Sequence, residues 1–96
     1  MKKVVIYTTD YCPYCVKAKR LLDLKKVSYE EIDVTHNEAL RDEMMEKAQG
    51  RRTVPQIFID DQPIGGCDDL HALEDEGRLD SLLLDIKDKG LSQITN

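Results

Sequence analysis

Val4-Val5-Ile6-Tyr7-Thr8-Thr9-Asp10-Tyr11-Cys12-Pro13-Tyr14-Cys15-Val16-Lys17-Ala18 is the stretch whose reading decides the fold. Val4 to Tyr7 is short, apolar and rich in β-branched residues, the signature of a buried strand. Pro13 then opens a helical pattern that runs to about Lys25. Its apolar positions, Val16, Ala18, Leu21, Leu22 and Leu24, recur with helical rather than alternating spacing. Beyond it, Val27 to Val34 reads as a second strand with Tyr29, Ile32 and Val34 as its larger apolar members. A strand, a helix and a strand in this order predict two parallel neighbours joined by a right-handed crossover.

Working outward, Thr35-His36-Asn37-Glu38 fits a capping box, a hydroxyl followed three residues on by a glutamate. The helix it predicts carries Leu40, Met44 and Ala48 on one face and stops at Gln49-Gly50. After Arg51-Arg52-Thr53, Pro55 stands at the edge of a strand over Gln56-Ile57-Phe58-Ile59, where its missing N–H is tolerated. Asp60-Asp61 makes a tight turn into a short antiparallel partner, Gln62-Pro63-Ile64. Gly65-Gly66 breaks the chain before a helix from about Asp68 to Glu76. Asp80 is expected to cap a last helix, Ser81 to about Lys89, carrying Leu83, Leu84 and Ile86. The order β-α-β-α-β-β-α-α predicts an α/β fold, a mixed four-stranded sheet with helices on both faces.

The chain has 96 residues, the length of one domain, so residues 1–96 are expected to form a single unit with 90–96 a frayed tail. No apolar run approaches the roughly 20 residues of a membrane span. The net charge is −5 and the Lys and Arg residues are dispersed, with only Lys17-Ala18-Lys19-Arg20 locally basic. Nucleic-acid and membrane partners are therefore not expected. Met1-Lys2-Lys3 is followed by four apolar residues, too few for a secretory signal. A cytoplasmic location is expected, with the cysteines mostly reduced at rest.

The chemistry is carried by Cys12, Cys15 and Cys67. A C-x-x-C that follows a strand and opens a helix in a β-α-β chain reads as a dithiol redox site. Proline is favoured at the first helical position, which makes Cys12 the N-cap, facing the free N–H groups of Tyr14 and Cys15. Those donors and the positive end of the helix dipole favour thiolate, and cysteine pKa values at such sites fall to about 3.5–7.5. Cys15 lies one turn on along the same face, within disulfide reach. The exposed Cys12 is then the attacking sulfur and the more buried Cys15 the resolving one.

Other readings of the same residues are a purely structural disulfide, or a zinc set of Cys12, Cys15, Cys67 and His71 whose halves lie far apart for a compact module. Cys67 reads as a small buried residue at a helix start, a position that leaves a lowered pKa open. Neither His36 nor His71 sits in a nucleophile–base pattern.

Together, Cys12-Pro13-Tyr14-Cys15, Thr53-Val54-Pro55 and Gly65-Gly66-Cys67-Asp68-Asp69-Leu70 resemble the dithiol glutaredoxins, most of all small bacterial members, over Val4 to about Leu84. The resemblance implies a thioredoxin-like fold and reduction of glutathione mixed disulfides and protein disulfides by glutathione. It implies Cys12 and Cys15 as the catalytic pair, and Tyr14, Thr53, Val54, Pro55, Gly66, Cys67 and Asp68 as the glutathione-binding set. It also implies a cis bond at Pro55, presenting the Val54 backbone to the cysteinyl residue of glutathione like one more strand. The N–H groups at Cys67 and Asp68 would take the γ-glutamyl carboxylate, and the Asp68 side chain its amine. Many relatives carry a lysine three residues before the first cysteine. Here that position is Thr9, and Arg41, Arg51 or Arg52 would have to supply the charge.

The reading is an enzyme with no bound cofactor or metal, glutathione as reducing co-substrate, disulfide-containing or glutathionylated proteins as partners, and a monomeric state. Two alternatives are a redoxin of the same fold reduced by thioredoxin reductase, and a module holding zinc or an iron–sulfur cluster.

Overall fold

The structure, a computed structural model, describes residues 2–83. Its elements are β1 (Val4–Thr8), α1 (Pro13–Leu24), β2 (Tyr29–Asp33), α2 (Glu38–Lys47), β3 (Gln56–Ile59), β4 (Gln62–Gly65), α3 (Cys67–Asp75) and α4 (Leu79–Leu83). The four strands form one sheet in the order β2-β1-β3-β4. β1 runs parallel to β2 and antiparallel to β3, and β4 pairs antiparallel with β3. This is the mixed sheet that the sequence predicts. The order of elements matches as well.

Side-chain alternation along β1 splits the core into two. Val4 and Ile6 face α1, α3 and α4, where they meet Ala18, Leu21, Leu22, Leu70, Leu79 and Leu83. Tyr7 faces the other way with Phe58 and Val34, covered by Met44 and Ala48 at the end of α2. The Tyr7 and Phe58 rings meet edge to face with centroids 5.6 Å apart, an arrangement favoured by the ring quadrupoles. Each fully buried Leu or Ile contributes about 1.5–3 kcal/mol.

Several boundaries differ from the sequence reading. The α2 cap is Asn37, whose side chain accepts the Leu40 N–H at 3.0 Å, so the capping box on Thr35 is not formed. The Thr35 hydroxyl is used elsewhere, accepting the Asp10 N–H at 2.9 Å and donating to Asp33. β2 is confined to Tyr29–Asp33, with Val27 and Val34 buried just outside it. In α1 the buried stripe is Cys15, Ala18, Leu21 and Leu22. Val16 and Leu24, grouped with it in the sequence, are 45% and 78% exposed. α3 starts and stops one residue early, at Cys67 and Asp75. The last helix starts at Leu79, which is fully buried, so Asp80 lies in its first turn rather than at its cap. Its carboxylate and that of Glu74 hold Lys25 at 3.0 and 2.6 Å, tying the end of α1 to α3 and α4. The expected course to Lys89, with Leu84 and Ile86, and the tail at 90–96 lie outside the described residues.

The strand directions position the site. β1 ends at Thr8, β3 begins at Gln56 opposite Tyr7, and β4 ends at Gly65 opposite Ile57. Three loops therefore leave the sheet at one edge: the one bearing Cys12, the one bearing Pro55, and the corner Gly65-Gly66-Cys67.

Candidate active site

Cys12 is the N-cap of α1, with extended backbone (φ −142°, ψ 93°) and Pro13 directly after it. The Cys15 N–H donates to Cys12 Sγ at 3.0 Å, which is the capping geometry expected of a side-chain acceptor. The two sulfurs are joined in a disulfide, with Cα atoms 5.1 Å apart. Cys15 is 1% exposed, whereas Cys12 is only half-buried. A reagent from solvent therefore meets Cys12 first. The Asp10–Thr35 hydrogen bond anchors the loop that leads into this turn.

Across from Cys12 stands the Thr53-Val54-Pro55 segment. The Val54–Pro55 peptide bond is cis, and the Val54 carbonyl oxygen lies 3.7 Å from Cys12 Sγ. In the reduced protein this carbonyl can accept from the Cys12 thiol. The segment is held from below by Gln56, whose buried side-chain amide donates to the Thr53 carbonyl at 2.8 Å and to the Thr53 hydroxyl at 3.1 Å. Burying that amide is tolerable only because it is paired.

A groove of about 210 Å³ runs beside the disulfide. Tyr14, 58% exposed, stands at one side of it. Thr53, Val54 and Pro55 form one wall, and Gly66, Cys67 and Asp68 the other. The structure thus gathers all seven residues of the expected binding set around one depression. It adds Asp69, which the sequence reading did not single out, and Arg51, named there as one of three possible sources of the missing charge. The Asp69 carboxylate accepts the Gly66 N–H at 2.9 Å and pairs with Arg51 Nη2 at 3.1 Å. The Gly66 hydrogen bond, aided by Arg51 and opposed by partial burial, holds Asp69 below the ordinary carboxylate range. Its signal in the sequence was the spacing Gly66-x-x-Asp69, half of a capping box with no side chain at the cap. Of the three arginines named as replacements for the family lysine, Arg51 borders this groove and Arg41 lines a different depression, beside Thr35 and Asn37.

Cys67 is 5% exposed and unpaired. Burial pushes its thiol above the usual value, with Lys17 pulling weakly the other way and Asp68 adding to the rise. The sequence left open whether the helix start lowers it; burial is the largest influence here and the net shift is upward. His71 Nε2 is buried without a hydrogen-bond partner. Among the described residues, no three His, Cys, Asp or Glu side chains converge as a metal site would require.

Residues 4–64 match the family model for glutaredoxin. The chain belongs to the glutaredoxin family. It is 58% identical over 83 residues to glutaredoxin 3 of Escherichia coli K12, covering 86% of this chain and 99% of that one. It is 56% identical over 81 residues to glutaredoxin 1 of Rickettsia prowazekii, covering 83% and 85%. Among solved structures, the solution structure of glutaredoxin from Brucella melitensis is similar with a TM-score of 0.76 and 57% identity, covering 86% of this chain and 89% of that one. A buckwheat glutaredoxin–glutathione complex is similar with a TM-score of 0.78 and 30% identity, covering 85% and 76%. The fold of this glutaredoxin is thioredoxin-like. Its activity is that of a glutathione-dependent thiol–disulfide oxidoreductase.

Proposed function

We propose that Cys12 is the nucleophile, Cys15 the resolving thiol, and the adjoining groove the seat of glutathione. The observation that carries the assignment is the asymmetry of the pair: Cys12 Sγ takes the Cys15 N–H at 3.0 Å and is half-exposed, while Cys15 is buried.

Cys12 thiolate attacks one sulfur of a substrate disulfide, forming a mixed disulfide and releasing the other sulfur as thiolate. Cys15 then attacks Cys12 Sγ, expels the second substrate thiolate and leaves the Cys12–Cys15 disulfide. One glutathione thiolate opens this bond at Cys12, returning Cys15 as a thiol. A second attacks the glutathionyl sulfur, giving glutathione disulfide and the original Cys12 thiolate. On a glutathionylated protein Cys12 suffices, taking glutathione directly and releasing the protein thiol. Two protein electrons are exchanged in each cycle and no resident cofactor is needed.

Glutathione in the groove would lay its cysteinyl backbone along Val54, with Tyr14, Thr53 and Pro55 beside it. Its γ-glutamyl carboxylate would reach the amides of Cys67 and Asp68 past Gly66, with the Asp68 carboxylate near its amine. The buckwheat glutaredoxin–glutathione complex, alike in fold, supports this reading. The remaining proposals are a monomer that acts in the cytoplasm on disulfide-containing or glutathionylated proteins. Among the described residues no helix is long and apolar enough to cross a membrane.

The test is turnover of a glutathionylated thiol with glutathione, glutathione reductase and NADPH. Cys12→Ser is expected to abolish it and Cys15→Ser to spare it. Turnover retained without Cys12, or supported by thioredoxin reductase but not glutathione, would overturn the assignment.

A further inference from the structure

The two walls of the groove come from distant parts of the chain, and one side-chain pair joins them. Arg51 precedes Thr53-Val54-Pro55 on one wall. Asp69 belongs to the first turn of α3 on the other. Their ion pair links the two segments at 3.1 Å, and the same Asp69 oxygen accepts the Gly66 N–H at 2.9 Å. Gly66 in turn packs against the first wall: a β-carbon built on it would stand 3.3 Å from the Pro55 carbonyl oxygen. Gly65, at φ +114°, has its β-carbon position already filled by the Asp69 carboxylate and the Arg51 guanidinium. The space that the Gly65 hydrogen leaves open is therefore used by this pair rather than by a ligand.

We propose that Arg51 and Asp69 form a clasp that fixes the distance and register between the two walls, and so sets the preference of Cys12 for glutathione over disulfides that fill no groove. The proposal rests on reading the groove as the glutathione seat. Both are positioning residues. Arg51 acts through Asp69, which holds Gly66 and with it the amides of Cys67 and Asp68 at a set distance from Val54.

The experiment measures thiol–disulfide exchange at equilibrium in a Cys15→Ser background, where Cys12 thiolate plus glutathione disulfide gives the Cys12–glutathione mixed disulfide plus glutathione thiolate. The same exchange with 2-hydroxyethyl disulfide, which carries no carboxylate, amine or peptide group, is the reference. The Cys12 adduct is quantified by peptide mass. Arg51→Ala and Asp69→Asn are each expected to lower the preference for glutathione about threefold to fivefold, the upper part of the range of an exposed ion pair. The double variant should lose no more than either single one, because both remove the same link. Arg51→Lys should recover part of the loss, and the reference exchange should not move in any variant. Asn at 69 can still accept the Gly66 N–H, so the helix cap survives the test.

If both single variants keep the full preference, the clasp is overturned. A loss confined to Arg51→Ala overturns it in favour of direct contact between Arg51 and glutathione, and additive losses do so as well. A parent protein that takes both disulfides equally overturns the glutathione reading itself, and the clasp with it.

Discussion

A side chain at position 65 would have to displace the Asp69 carboxylate and the Arg51 guanidinium while adopting a φ of +114°. Gly50 and Gly77 also have positive φ, +94° and +73°, but a β-carbon on either meets nothing within 4 Å. The three positions therefore separate backbone preference from crowding. Alanine at 50 or 77 should cost the backbone penalty alone, about 1–2 kcal/mol. Gly65→Ala should cost more, because overpacking adds roughly 1–3 kcal/mol. Urea denaturation of the three variants checks this, and equal losses at all three would remove the case for crowding at 65. Residue-scale chemistry also distinguishes the cysteines. In the reduced protein at neutral pH, iodoacetamide should modify the half-exposed Cys12 first. Cys67, buried and with its thiol pushed upward, should react much more slowly. Timed intact-mass and peptide analysis reads this directly, and comparable rates would show that α3 leaves Cys67 open to reagents.

Among the elements, the start of α1 was legible because the sequence there allows one answer. Pro13 needs a cap before it, and the only side chain in place is a cysteine. The start of α2 was less so. Thr35 and Asn37 are both good caps, and local chemistry does not choose between them. Tertiary structure does, since Thr35 is taken by the Asp10 N–H from the loop ahead of Cys12. Asn37→Ala should therefore lower stability by about 1 kcal/mol while leaving the Cys12 alkylation rate unchanged. Chemical denaturation and a timed alkylation of the same samples would show both, and a stable Asn37→Ala protein would return the cap to Thr35. The exposed side of α1 was misjudged for a related reason. Val16 and Leu24 are apolar, but the helical period leaves them off the stripe defined by Cys15, Ala18, Leu21 and Leu22. Seven of the residues that line the groove were readable from short motifs. The Arg51–Asp69 pair was not, because its members lie on separate walls and no local pattern links them.

For the molecule as a whole, the titrating groups that folding perturbs define a window of stability. Asp69 is held low chiefly by the Gly66 N–H. For Glu31, burial works against the charge, but the Thr8 hydroxyl and Lys19 outweigh it and the net shift is downward. Asp33 is held low by Thr35. A carboxylate depressed by folding contributes stability that is present above its unfolded pKa, near 4, and disappears as pH falls through the folded value. On the alkaline side, burial raises the Cys67 thiol and the Tyr29 hydroxyl. Their unfolded counterparts ionise first, near 8.5 and 10, which draws the equilibrium toward the unfolded chain. Lys25 is raised by its hydrogen bonds to Glu74 and Asp80, and Lys47 by that to Glu43. Their contribution is complete below about 10.4 and fades as pH climbs through the folded values. The oxidised protein should therefore keep a flat stability from about pH 5 to 8 and lose it on both sides. Urea unfolding across pH, with the Cys12–Cys15 disulfide intact throughout, measures the profile. Cys67→Ala should delay the first part of the alkaline fall, since it removes the thiol that ionises earliest on unfolding. A maximum below pH 4, or an alkaline limb indifferent to Cys67, would mean that these groups are not the ones folding perturbs.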